Sequence, residues 1–110
     1  MTVVVSDTSP LIALAHLQQL DFLERFFEEV LVPPAVVAEL QSPAWKSLMR
    51  DALDAPCIQV RTPADRARVK ELSTTLDLGE AEALALALEV HAEAVLIDEA
   101  EGRVWPKAWA

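Results

Sequence analysis

Four acidic residues, Asp7, Glu39, Glu82 and Asp98, stand where a layered fold would gather carboxylates. Asp7 closes the apolar run Val3-Val4-Val5, and Asp98 closes Val95-Leu96-Ile97. Short β-branched runs between helical patterns read as buried strands of a parallel sheet. The functional crevice of such a sheet lies outside the carboxyl ends of its strands. Glu82 falls in the opening turns of a helical segment, and helix starts collect at that same edge. Glu39 stands about five residues beyond Pro34, roughly 7–8 Å along a helix axis, so it must reach across from a tilted helix. Gathered together, the four could not all stay ionised unaided: two unit charges about 4 Å apart repel by about 4 kcal/mol at an effective dielectric near 20. Hard carboxylate oxygens in a cluster select Mg²⁺ or Mn²⁺. Such a site activates water and stabilises charge in phosphodiester hydrolysis.

Each acid taken singly has a plainer reading. Asp7 could cap a helix, Glu39 could sit on a solvated helix face, and Asp98 could simply end a strand. Glu80 and Glu82 lie where a helix dipole favours acids. It is their joint placement that points to chemistry. The other reactive side chains offer less. His16 and His91 have no ligand-spaced partner, and Cys57 sits in Cys57-Ile58-Gln59-Val60 as a small buried apolar residue. With only Gly79 and Gly102 there is no phosphate-cradling glycine loop, which removes nucleotide-binding readings. Trp45 reads as core, and Trp105 and Trp109 fall in an irregular tail, so base stacking has no platform.

The elements that must position these acids follow from the apolar periodicity. Residues 2–6 read as the first strand, then a turn in which Ser9 caps a helix opened by Pro10. A second short helix covers 20–27, and Val30-Leu31-Val32 is the next strand. Pro34 opens a helix with Val36, Val37 and Leu40 apolar. The following helix, 43–54, has Trp45, Leu48, Met49 and Leu53 on one face, and 58–60 is a third strand. Residues 63–76 form a charged, exposed helix. Arg61, Arg66, Arg68 and Lys70 lie close together there, with Arg50 on the helix before, and a solvated surface is their expected role. Ala81 to His91, almost all Ala, Leu and Glu, is expected to be a central packed helix. The last strand is 94–98, followed by an irregular tail. Strands alternating with helix pairs imply an α/β three-layer sandwich, a parallel sheet of about four strands with helices on both faces.

At 110 residues with 53% hydrophobic composition, the chain has enough apolar surface for one domain, 1–110, with a single core. No apolar run approaches the ~18 residues that span a bilayer. Asp7 interrupts the first apolar run, so the N-terminus does not read as a secretory leader. With the single cysteine, the expectation is a cytoplasmic location. The net charge of −9 argues against a broad basic surface for duplex DNA or anionic lipid. It leaves room for a nucleic-acid enzyme whose bound metal supplies the positive charge.

At these residues the chain resembles the PIN-domain family, in its small prokaryotic branch that includes VapC-like toxins. Val5-Ser6-Asp7-Thr8-Ser9-Pro10-Leu11-Ile12-Ala13-Leu14 is similar to the opening strand and acidic turn. Val32-Pro33-Pro34-Ala35-Val36-Val37-Ala38-Glu39-Leu40 resembles the segment with the second acid. Leu78-Gly79-Glu80-Ala81-Glu82-Ala83-Leu84 resembles the third, Glu82 matching and Glu80 its neighbour; Val95-Leu96-Ile97-Asp98-Glu99 resembles the fourth. The resemblance implies a metal-dependent ribonuclease in which Asp7, Glu39, Glu82 and Asp98 hold Mg²⁺ or Mn²⁺. It implies that Thr8 or Ser9 supports those ligands by a hydrogen bond, with Glu80 and Glu99 adjacent, and that Arg103 meets RNA phosphate. It also implies a homodimer and, for toxin members, a small antitoxin partner. Relatives continue beyond the fourth acid into another strand and helix, so a shortened C-terminus is expected, leaving 95–97 as a sheet edge unless the tail or a second subunit covers it. Two rival readings share the same acids: a non-catalytic module acting through protein partners, and a metal-dependent hydrolase of small phosphate esters.

Overall fold

The computed structural model describes residues 2–97 and, for the backbone alone, 104–106. Five strands form one sheet in the order β3-β2-β1-β4-β5. They are β1 (Val3–Ser6), β2 (Glu29–Val32), β3 (Ile58–Val60), β4 (Ala94–Leu96) and β5 (Val104–Pro106). The first four are parallel, with Val5 opposite both Leu31 and Val95, and Leu31 opposite Gln59. The helices are α1 (Thr8–His16), α2 (Asp21–Phe26), α3 (Pro34–Leu40), α4 (Lys46–Leu53), α5 (Arg66–Leu72) and α6 (Leu78–Val90).

Side chains alternate across a strand, and that alternation divides the core. Val4, Val30 and Val32 turn to one face, where Leu11, Leu23, Val36, Leu40 and Met49 from α1 to α4 pack on them. Val5, Leu31 and Val95 turn to the other face, against Ala83, Leu84, Leu86 and Ala87 of α6. Val69 of α5 then packs on Ala81 and Ala85, holding α5 outside α6. The three-layer α/β sandwich is the expected one, and the near-continuous apolar α6 is buried from Ala81 to Ala87 as its composition requires.

Three local expectations change. Helix α1 begins at Thr8 with Asp7 in the N-cap position, so Ser9 lies inside the first turn and caps nothing. Pro10 still fits, because first-turn amides have no intrahelical partner. Helix α4 begins at Lys46 with Trp45 at its N-cap, where the ring meets His16 edge-on at 5.9 Å. The tail is not wholly irregular: β5 pairs antiparallel to β4, Leu96 opposite Val104 and Ala94 opposite Pro106. The tail therefore covers β4. Proline suits the outermost strand because its missing N–H costs no ladder bond there.

Candidate active site

The parallel register fixes where the acids emerge. Ser6 stands opposite Leu96, and the next amide, Asp7 N–H, donates to the Leu96 carbonyl at 2.9 Å. Asp7 thus leaves β1 at the carboxyl edge of the sheet, beside the end of β4. Its side chain makes no capping bond to α1. It faces the start of α6 instead: a Cβ placed on Gly79 would lie 3.2 Å from Asp7 Oδ1 and 3.5 Å from a Val36 methyl. Glycine at 79 therefore lets α6 come down onto the acid. Although Gly79→Ala gains up to about 1 kcal/mol of helix propensity, crowding of Asp7 should cancel the gain. The expected result is little change in urea midpoint with a measurable loss of activity; a gain in both would contradict the contact.

Helix α6 starts with a capping box. Asp77 Oδ1 accepts from the Glu80 amide at 2.8 Å, and Glu80 Oε1 accepts from the Asp77 amide at 3.3 Å. Burial lifts the Glu80 carboxyl above its ordinary value; the Asp77 amide pulls it back, while the charges of Asp77 and Asp7 push it up. The folded chain therefore holds this proton more tightly than the unfolded chain does. The resulting stability is complete below about pH 4.5 and is lost as pH rises through the raised folded value. Glu80→Gln, which keeps the amide acceptor, is expected to flatten that decline in urea titrations. An unchanged slope would show that Glu80 does not cause it.

Glu82 follows two residues later. It is 4% exposed, and both carboxylate oxygens are engaged. Oε1 accepts from the Ala35 amide at 2.9 Å. Oε2 accepts from Arg66 Nη1 at 3.0 Å. Helix α3 begins at Pro34 with no side-chain cap of its own, so Glu82 supplies the missing acceptor from another helix. Glu39, exposed near the end of α3, receives a hydrogen bond from the buried Thr8 hydroxyl, 3.1 Å to Oε2. Thr8 follows Asp7 directly, so this bond ties the β1–α1 turn to α3. Ser9 is exposed. Asp98, Glu99 and Arg103 lie outside the described residues.

The donor chemistry suits a hard divalent cation: every acid here offers only oxygen, and the carboxylates of Asp7, at 7% exposed, and Glu82, at 4%, are buried. The three expected ligands do not close up by themselves. Among the described residues no group of three acids, histidines or cysteines is placed to share an ion. Glu39 is drawn to Thr8, and Glu82 to Ala35 and Arg66. Arg66 is not legible as a site residue, because beside Arg61, Arg68 and Lys70 it reads as solvated charge. The available signal is the close succession of two helical patterns on either side of Asp77, which folds one back along the other and brings Arg66 within side-chain reach of Glu82.

A cavity of about 630 Å³ lined by Thr2, Glu24, Phe26, Pro56 and Cys57 opens at the amino ends of the strands, away from these acids. Burial raises the Cys57 thiol above its ordinary value, with the Glu24 charge adding to it, so Cys57 is a poor nucleophile there.

No helix among the described residues is long and apolar enough to cross a membrane. Neither curated proteins nor solved structures give a significant match. A family model described as PIN domain matches residues 3–108. With that match spanning nearly all of the chain, over a parallel sheet whose carboxyl edge bears the acids, this protein belongs to the PIN-domain family.

Proposed function

We propose that this chain is a metal-dependent endoribonuclease and the toxin of a toxin–antitoxin pair, working in the cytoplasm as a homodimer. PIN domains are nucleases as a family and typically use divalent metal. The observation that carries the reading for this chain is the pair of buried carboxylates, Asp7 and Glu82, at the carboxyl edge of the sheet. Asp7, Glu39 and Glu82, with Asp98, would hold Mg²⁺ or Mn²⁺. When bound, the metal supplies a water of lowered pKa and positive charge for the scissile phosphate.

The chain's own residues set the rest. Ala35 N–H fixes one oxygen of Glu82, and the Thr8 hydroxyl orients Glu39, so two acids are restrained before any ligand arrives. Asp7 is oriented by the β1–α1 turn and by the closeness of Gly79. The net charge of −9 suits a basic antitoxin segment.

The test is cleavage of single-stranded and structured RNA with Mn²⁺ or Mg²⁺, an EDTA control, and p-nitrophenyl phosphate alongside. Metal-dependent RNA cleavage is the expected result. Turnover of the small ester without RNA cleavage would reassign the substrate. A second reading, a PIN module acting only through protein partners, draws support from the occupied oxygens of Glu82. Absence of Mn²⁺ binding by the folded chain in calorimetry would favour it.

A further inference from the structure

We propose that Arg66 is a built-in counter-cation for this site, occupying Glu82 until a divalent metal takes its place. The inference rests on the metal-dependent reading above and concerns how that site is kept when empty of metal. Glu82 has two unlike partners. The Ala35 amide is part of the backbone at the start of α3 and cannot leave without disturbing that helix. Arg66 is a side chain 54% exposed, and among the described residues Glu82 Oε2 is the one carboxylate oxygen it pairs with. One partner is fixed and the other can be exchanged.

The exchangeable partner is presented from an anchored base. Glu89, two turns beyond Glu82 on the same stripe of α6, accepts from the amides of Ala64 and Asp65 at 2.9 to 3.1 Å. Asp65 then caps α5 by accepting from the Arg68 amide at 3.0 Å. Arg66 is the first residue of α5, so its Cα is held at one end of that stripe and its long side chain runs back along α6 to Glu82. Val69 packs the helix down on Ala81 and Ala85 behind it. A guanidinium delivered this way places positive charge beside a buried carboxylate, which would otherwise be costly to keep ionised. The exposed face of the guanidinium leaves it free to swing into water when another cation binds.

Metal binding must then displace Arg66, and removal of that charge should help the metal. Calorimetric titration with Mn²⁺ on the parent chain, Arg66→Gln and Arg66→Lys tests this, with thermal unfolding of each in EDTA and in Mn²⁺. The expected result for Arg66→Gln is Mn²⁺ affinity tighter by roughly three- to tenfold, since a charge-assisted bond no longer competes. Its unfolding midpoint should fall in EDTA and recover in Mn²⁺, whereas Arg66→Lys should stay near the parent in both. Equal or weaker Mn²⁺ affinity in Arg66→Gln overturns the role of Arg66 and leaves the metal site standing. No binding to any of the three folded chains removes the metal reading and this inference together.

Discussion

Glu82→Ala is expected to cost about 2–3 kcal/mol of unfolding free energy, a large share of the 5–15 kcal/mol typical of a domain. The cost has one large source and one small one. Losing Oε1 leaves the partly buried Ala35 amide at the start of α3 without its acceptor, and a donor left unsatisfied on burial costs about 1–3 kcal/mol. Losing the ion pair adds less, because Arg66 is more than half exposed and water screens it. Alanine is itself a good helix former, so α6 is not weakened. The damage should appear in α3, whose Val36 and Leu40 are wholly buried on the sheet. Glu82→Gln keeps an oxygen for Ala35 and should fall between parent and alanine variant. Urea unfolding followed by circular dichroism measures the order; equal stability of Glu82→Ala and parent would remove Glu82 from the support of α3.

Asp7→Asn should show the opposite profile, activity lost and fold kept. The substitution is nearly isosteric, and the side chain at 7 makes no cap on α1, so no capping bond is lost there. The Asp7 charge also raises the Glu80 carboxyl, so its removal relieves a like-charge contact at neutral pH. With the chain still folded by circular dichroism, cleavage is the readout that separates this variant from the parent. Outer partners of metal ligands typically cost 10- to 100-fold when mutated, so a ligand should cost at least about 100-fold in metal-dependent RNA cleavage. Asp7→Asn with parental cleavage would exclude Asp7 from the reaction.

What could be read from residues alone divides along a physical line. Strands β1 to β4 and the buried α6 are legible because apolar runs report burial directly, whereas which of Val4 and Val5 faces which layer is not, both being valine. Asp7 was legible as an edge residue because a strand that ends in an acid has few other ways to place it. Helix α1 starts two residues before the position that Ser9-Pro10 signals. Ser9-Pro10 carries a strong helix-start signal, but the register of β1 against β4 determines where the strand stops. Strand β5 is not legible because Trp105-Pro106 breaks a helix and is equally compatible with an edge strand. The partners of the acids were the least legible part. Thr8 with Glu39, Ala35 with Glu82, and Arg66 with Glu82 join residues 16 to 47 positions apart, and no local pattern encodes which oxygen meets which donor.

The most direct measurement is anomalous diffraction from crystals of the chain soaked in Mn²⁺. Density at the carboxyl edge of the sheet, within bonding distance of Asp7 and Glu82 and with Arg66 turned away from Glu82, is the predicted result. A crystal with Asp7 and Glu82 well ordered, Arg66 still on Glu82 and no anomalous peak between the acids at saturating Mn²⁺ would contradict it.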